Sequence, residues 1–196
     1  LNGVLEEAGG SALAALFAAL GVEVTMIDRG ERPLGFLEPE LTALFQRALA
    51  DRGATFLGGQ TAREVAVDAA GQVTLRTTAG EAVVVEKVLC AMGRSANIEH
   101  LELASVGLSP TSRGLLAVDE HCQTETPGIY AVGDVAGPPG LASSATEQGR
   151  RAVRHMLGSA IAGQLDLVPT GVYTIPEMAC CGLTEAQAIA KNGSAT

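Results

Sequence analysis

The feature that most constrains the fold is an alanine-rich stretch that passes directly into a β-branched one. Residues 9–20, GGSALAALFAAL, predict a helix that Ser11 could cap and that Gly21 ends. Residues 22–28, VEVTMID, predict a strand that finishes on an aspartate. The short segment NGVL just before the helix is a weak opening strand, so the pattern favours a β–α–β unit and a parallel sheet.

The same alternation continues along the next part of the chain. Residues 38–52 predict an amphipathic helix and residues 54–59 a short strand. Residues 63–86 predict two or three strands joined by turns, and residues 87–91 form an apolar strand. This order predicts an α/β fold, with a Rossmann-like NAD(P)-binding domain over residues 1–94 and a β-meander inserted before its last strand.

The second part of the chain has less regular patterns. Two short strands are predicted within residues 114–134, the second at Ile129–Val132, and a helix over residues 149–161. The segment from residue 168 begins another strand and helix but is too short to form a core of its own. We therefore divide this part into a second domain, residues 95–165, and the start of a third, residues 166–196.

Composition excludes several classes of function. The net charge of −9 argues against non-specific binding to nucleic acid or to an anionic membrane. The longest apolar segment, residues 11–24, contains a glutamate and is shorter than the roughly 20 residues of a membrane span. The four cysteines form neither a CxxC pair nor a metal-type cluster, and Cys90 in its apolar run is expected to be a buried, reduced thiol. A cytoplasmic protein without a metal site is the expectation.

Candidates for a dinucleotide site lie around the first predicted helix. Asp28 follows Gly10 at about the 20-residue distance at which an acidic residue accepts hydrogen bonds from the adenosine ribose. If Gly10 is the third glycine of a GxGxxG turn, the first two positions fall on Leu5 and Glu7, and that carboxylate would repel a pyrophosphate. Arg29 could pair with the 2′-phosphate of NADP, so NAD and NADP both remain open. The alternatives are a turn residue at Asp28 and a solvated charge at Arg29.

Two further candidates follow apolar runs. Gly93 follows the run VLCAM, where ligands bind in open α/β sheets if the strand is parallel. Gly133 and Asp134 follow IYAV, and a carboxylate there can accept hydrogen bonds from sugar-like hydroxyls. Small residues that include Ala142 would let backbone N–H groups approach a flat ligand or its phosphates. The alternative at both places is an ordinary turn.

Four segments occur in an order that resembles the pyridine nucleotide-disulfide oxidoreductase family of FAD flavoenzymes. They are GVEVTMIDRGERPLGFLEPEL, VLCAMGRSANIEHLEL, QTETPGIYAVGDVAG and GVYTIPEMACCGLTEAQA. The resemblance implies FAD and NAD or NADP as cofactors, nicotinamide dinucleotides as substrates, and a homodimer for the intact protein. It implies that Asp134 binds the ribityl chain of FAD, that Ala142 contacts the flavin through its backbone, and that Asp28 and Gly93 belong to the nicotinamide cofactor site.

Within the family, LASSATEQGR and PTGVYTIPE are most similar to members that transfer hydride between NADPH and NAD. A dihydrolipoamide dehydrogenase-like disulfide reductase and a degenerate, non-catalytic nucleotide-binding fragment are the alternatives. Compared with the family, the chain is expected to lack the N-terminal FAD domain and most of the dimerisation domain. No catalytic residue is therefore assigned, and the chain alone is expected to be inactive.

Overall fold

Strands and helices alternate through the first half of the chain in the predicted order. In the computed structural model, residues 3–5, 8–93, 95–138, 140–160 and 169–193 are described. The elements of the first half are β1 (Gly3–Leu5), α1 (Ala8–Ala19), β2 (Thr25–Ile27), α2 (Pro39–Ala50), β3 (Thr55–Leu57), β4 (Ala62–Val67), β5 (Val73–Thr77), β6 (Ala82–Val85) and β7 (Cys90–Ala91). The weak opening strand of the sequence is therefore real.

Four of these strands form one parallel sheet in the order β3-β2-β1-β7. The chain first winds outward from β1 through β2 to β3 and then returns to the other side of β1. This reversal is the topological switch of a doubly wound sheet, and ligands bind such sheets outside the carboxyl ends of the strands at that point. The predicted α/β, Rossmann-like fold class is confirmed, and the inserted meander is the antiparallel sheet β4-β5-β6.

Helix α1 packs against its sheet through small residues. Its buried side chains are Ser11, Ala14, Ala15 and Ala18, which recur at helical spacing along one face. Ser11 is the fourth helical residue and is 1% exposed, so the expectation that it caps the helix is wrong. The helix starts earlier because the chain enters it soon after β1. Gly21 ends it as expected, with a φ of 81°.

The last described elements pack with this sheet domain. They are the paired strands β8 (Thr170–Val172) and β9 (Met178–Cys180), and the helix α4 (Glu185–Asn192). Val172 and Met178 join the core that surrounds the fully buried Phe45. A carboxylate oxygen of Glu38, the N-cap residue of α2, accepts the backbone N–H of Glu185 in the first turn of α4.

The segment before Gly133 differs from the expected strand. Ile129–Val132 forms no regular strand in the described part of the chain; a single antiparallel bridge joins Gln123 to Tyr130. The expectation of two strands there is wrong because the facing segment supplies too few partners: Cys122, with a φ of 65°, interrupts its extended backbone. A 3₁₀ helix, Gly133–Ala136, follows directly.

The following helix also differs from its expected bounds. Helix α3 covers Ala142–Met156 instead of residues 149–161. It starts earlier because the Ser144 and Thr146 hydroxyls donate to the carbonyls of Leu141 and Ala142, so small polar residues typical of loops fit inside the helix. It ends earlier because Gly158, with a φ of 63°, turns the chain away.

The chain divides into two compact units. Residues 1–93 and 171–196 form the first unit and residues 94–170 the second. The three domains predicted from the sequence, residues 1–94, 95–165 and 166–196, stay predictions. Among the residues described, no helix is long and apolar enough to cross a membrane.

Candidate functional site

In the first unit, the expected dinucleotide-binding residues lie at the carboxyl edge of the parallel sheet. Gly10 is buried in the first turn of α1, just beyond β1. Asp28 directly follows β2, and Gly93 follows β7 with a φ of 64°. The strands β1 and β7 on either side of the switch point therefore lead to Gly10 and Gly93, where a doubly wound sheet binds its ligand.

Asp28 is fixed by its own loop and by the neighbouring strand. Its Oδ1 accepts the backbone N–H of Gly30 at 2.7 Å. Its backbone N–H donates to the carbonyl of Leu57, and its carbonyl accepts from Gln60, at 3.1 and 3.0 Å. One carboxylate oxygen of Asp28 thus has the role of a turn residue, which was the alternative predicted from the sequence. A carboxylate has further acceptor positions, so the same side chain can also accept a ribose hydroxyl.

A pair of glycines, Gly58 and Gly59, lets the Asp28 loop approach the end of β3. A Cβ on Gly58 would lie 2.8 Å from the backbone oxygen of Glu31, and one on Gly59 would lie 2.8 Å from a carboxylate oxygen of the same residue. Real Cβ atoms essentially never make such short contacts. The sequence signal was the LGGQ segment after the short strand, which carried no functional expectation.

The two arginines after Asp28 have different environments. Arg29 is exposed at the edge of the sheet. The Arg32 guanidinium folds back on its own loop, where Nη2 donates to the carbonyl of Gly35 at 3.2 Å. The Arg32 guanidinium thus has a partner within its own loop, and Arg29 lies directly after Asp28.

The residues of this edge fit a nicotinamide dinucleotide. Gly10 leaves the first turn of α1 without a side chain, and the helix carries no acidic residue in that turn. Both properties suit a helix N-terminus that faces a pyrophosphate. Glu7, the residue expected to oppose this, lies outside the described residues. So does Arg94, which follows Gly93.

In the second unit, Gly133 and Asp134 form a rigid turn. Gly133 is buried and has a φ of 77°, a conformation that costs a residue with a Cβ about 1–2 kcal/mol. Its backbone N–H donates to Oε1 of Gln148 at 2.6 Å, and a Cβ here would lie 3.4 Å from the Cβ of Ala145. The exposed Asp134 side chain projects from this fixed backbone.

In the loop after the turn, Gly140 lies close to the Asp134 carboxylate. A Cβ on Gly140 would lie 3.4 Å from Oδ1 and 3.7 Å from Cγ of Asp134. Leu141 is extended, and Ala142 is the exposed first residue of α3. Gly140 therefore lies beside the carboxylate, and Ala142, two residues further on, carries only a methyl group. This open, hydroxyl-accepting arrangement fits the ribityl chain of a flavin.

Three residues that carried no functional expectation also contact this segment. Gln148 is one, and the sequence gives no signal for it beyond its place in the LASSATEQGR segment. The others are Tyr130 and His155, whose hydroxyl and Nδ1 are hydrogen bonded at 2.7 Å. The His155 ring also stacks on that of His121, with centroids 4.4 Å apart. These contacts join positions up to 34 residues apart, from His121 to His155, which is why the sequence alone does not reveal them.

Two titratable groups beside this cluster have shifted pKa values. Slight desolvation raises the pKa of Asp119, but the backbone N–H groups of Gln123 and His121 and the nearby His121 and His155 outweigh it, and the net pKa is lowered. Burial raises the pKa of the Cys122 thiol despite the nearby Arg151 guanidinium. Cys122, not Cys90, is the buried cysteine. Cys90 is exposed, contrary to expectation, because β7 is an edge strand of the described sheet.

Comparison with protein families places the chain among known sequences. Residues 9–149 match the family model described as pyridine nucleotide-disulphide oxidoreductase. The chain is 43% identical over 176 residues to the soluble pyridine nucleotide transhydrogenase of Marinobacter nauticus, covering 90% of this chain and 38% of that protein. It is 39% identical over 174 residues to the enzyme of the same name from Mycobacterium tuberculosis, covering 89% and 37%. The chain thus spans about 38% of the length of these curated relatives.

Solved structures share the fold of the whole described chain. LpdA from Mycobacterium tuberculosis superimposes with a TM-score of 0.89 at 30% identity, over 97% of this chain and 42% of that one. The HOCl-induced flavoprotein disulfide reductase RclA from Escherichia coli gives a TM-score of 0.85 at 24% identity, over 97% and 44%. At that lower identity the likeness concerns the fold alone.

Proposed function

This chain belongs to the pyridine nucleotide-disulphide oxidoreductase family, and from that premise we propose that it is the central part of an FAD-dependent oxidoreductase that transfers hydride between NADPH and NAD. The observation that carries the proposal is the 43% identity to a soluble pyridine nucleotide transhydrogenase over 90% of the chain. The sheet edge of the first unit and the Gly133–Asp134 turn of the second support it, since each fits one of the two cofactors.

For the nicotinamide cofactor, we assign binding to Gly10, Asp28, Arg29 and Gly93. The first turn of α1 at Gly10 would receive the pyrophosphate through its backbone N–H groups. Asp28 would accept a hydrogen bond from the adenosine ribose at a carboxylate acceptor position that the Gly30 N–H does not use. Arg29 would contact the 2′-phosphate of NADP. The neighbouring side chains of Asp28 and Arg29 would thus let the same sheet edge bind NAD or NADP.

For the flavin, we assign binding to Gly133, Asp134 and Ala142. When bound, FAD supplies the relay of hydride between the two nicotinamide dinucleotides. Asp134 would accept hydrogen bonds from ribityl hydroxyls, and the backbone at Ala142 would contact the ring system. In this assignment Asp134 binds and orients; it moves no proton. The proposal includes a homodimer for the intact protein and a cytoplasmic location.

Calorimetric titration of the purified chain with NADH and with NADPH tests the dinucleotide part. We expect weak binding, with a Kd of roughly 10⁻⁴ M or more. Asp28→Ala should weaken both further. The matched control is Asp68→Ala, because Asp68 also accepts a backbone N–H two residues ahead, that of Ala70 at 2.9 Å, but lies in the β4–β5 turn. Arg29→Ala should weaken NADPH more than NADH.

Equal effects of the two aspartate variants, or no heat with either dinucleotide in a folded sample, would overturn this site. The reaction itself is tested on the gene product that carries this chain, by the FAD-dependent reduction of thio-NAD with NADPH. Turnover of a disulfide substrate with NADH, and none of thio-NAD, would replace the transhydrogenase assignment with a dihydrolipoamide dehydrogenase-like one.

A further inference from the structure

One face of helix α3 packs against the segment that leads into the Asp134 turn. Ser144, Gln148, Arg151 and Ala152 are buried at helical spacing, and His155 continues the same row. The segment Tyr130–Gly133 runs beside this row. One isolated bridge joins it to the facing backbone, where the Ala131 N–H donates to the Cys122 carbonyl at 3.0 Å. After Ala131, the side chains of α3 supply the next contact, at Gly133.

The first contact is made by Gln148 to the turn itself. The Gly133 N–H is buried at the start of the 3₁₀ helix, and its hydrogen bond goes to a side chain. Oε1 of Gln148 accepts it at 2.6 Å, and the Gln148 side chain is itself only 9% exposed. A buried N–H without an acceptor is costly, so the Gln148 side chain fixes the orientation of the Val132–Gly133 peptide, one peptide unit before Asp134.

The second contact lies two helical turns further along α3. The His155 Nδ1 is hydrogen bonded to the Tyr130 hydroxyl at 2.7 Å. The His155 ring is also held from its other side by His121, which stacks on it with an interplanar angle of 16°. Tyr130 lies three residues before Gly133, so this contact holds the entrance of the segment whose end is held by Gln148.

We propose that Gln148 and His155 are positioning residues that together aim the Asp134 carboxylate at its ligand without touching the ligand themselves. The inference rests on the proposed function for the identity of the ligand, the ribityl chain of FAD. The contacts themselves stand independently of it. Gln148 supplies the more direct constraint, because it binds the amide next to Asp134, and His155 keeps Tyr130 and the backbone after it in register with the helix.

The test follows the Gly133 amide in ¹H–¹⁵N spectra of the full chain, without any cofactor. Gln148→Met removes the acceptor but keeps the length of the side chain, and we expect Gly133 exchange with solvent to accelerate about tenfold or more, as when a buried hydrogen bond is lost. Gln148→Glu keeps an acceptor oxygen in place and should restore slow exchange. Arg150→Met is the control, since this exposed neighbour on α3 forms an ion pair with Glu147, at 3.7 Å, instead of a contact with Gly133.

His155→Phe tests the second contact. It keeps a ring to stack on His121 but removes the hydrogen-bond partner of the Tyr130 hydroxyl, so the resonances of residues 130–134 should shift while those of β4–β6 do not. If Gln148→Met does not fold, the comparison of His155→Phe with Arg150→Met still tests the proposal through the second contact. Unchanged Gly133 exchange in Gln148→Met, or unchanged resonances at 130–134 in His155→Phe, would overturn the proposal.

Flavin binding is then measured separately, from the quenching of flavin fluorescence on titration of FAD with each variant. We expect Gln148→Met to bind at least tenfold more weakly than wild type, and Gln148→Glu and Arg150→Met to stay within about threefold of it. Wild type that binds no FAD would refute the proposed function but leave the Gly133 result intact. A slow-exchanging Gly133 in Gln148→Met would refute the positioning role whatever the flavin result.

Discussion

Two glycine-to-alanine substitutions in the second unit, Gly133→Ala and Gly149→Ala, should have opposite effects on the free energy of unfolding. At Gly133 the φ of 77° is left-handed, which costs an L-residue about 1–2 kcal/mol. The new methyl group would also lie 3.4 Å from the Cβ of Ala145. Against this, the stiffer unfolded chain returns about 0.4–1 kcal/mol. Gly133→Ala should therefore lower the free energy of unfolding by about 1 kcal/mol.

Gly149 is the matched position. It lies inside helix α3, and a Cβ there would have nothing within 4 Å outside its own helix. Alanine is favoured over glycine in a helix interior by about 0.5–1 kcal/mol. Gly149→Ala should therefore raise the stability of the same unit. The two variants should differ by about 1.5–2 kcal/mol, more than a tenfold difference in the folding equilibrium constant.

Urea unfolding measured by tyrosine fluorescence reports this difference. The chain has no tryptophan and only two tyrosines, Tyr130 and Tyr173. Tyr173 is 80% exposed in the first unit, so in a Tyr173→Phe background the signal comes from Tyr130 in the second. At a slope of about 1 kcal/mol per molar urea, the midpoints should lie about 1.5–2 M apart. A Gly133→Ala midpoint at or above that of Gly149→Ala would refute the reasoning from backbone conformation.

Three other predictions concern packing and titration. Phe45→Ala empties the centre of the first unit, where Phe45 is 0% exposed, and should cost about 3–5 kcal/mol in urea unfolding, whereas Phe36→Ala, 50% exposed, should cost far less. Because the pKa of Asp119 in the folded protein is below its ordinary value of 3.8, the ionised side chain stabilises the fold above pH 3.8, and this contribution is lost as the pH falls through the lowered pKa. Asp119→Asn should make the free energy of unfolding less dependent on pH in this acid range. An unaltered dependence on pH would contradict this. Cys122 should react with a thiol reagent at pH 8 far more slowly than the exposed Cys181, because it is buried and its pKa is raised; equal rates would show that its surroundings are open.

Local patterns were enough for the order of helices and strands in the first unit, because these elements depend mainly on nearby residues. The alanine-rich helix, its stop at Gly21 and the following strand are set by helical spacing and by a single backbone conformation. The strand order could then be anticipated, since short parallel crossovers leave few arrangements. The position of Asp28 at the end of β2 follows from the same pattern.

Patterns failed where a residue depends on a distant partner. Ser11 has the identity of a cap residue but lies on the buried face of α1. Cys90 is in an apolar run but lies on an edge strand. The bounds of α3 depended on hydroxyls that bond back to helix carbonyls, which polarity alone does not distinguish from a loop.

The sequence by itself determined the alternation of helices and strands in the first unit and the Gly-Asp pair at residues 133 and 134, because both are written in residues that are close along the chain. Only the tertiary structure decided how that pair is held. The contacts of Gly133 with Gln148 and of Tyr130 with His155 span 15 and 25 residues, and they form only when α3 folds against the segment. A buried amide must find an acceptor, but which side chain supplies it depends on packing that no local pattern specifies.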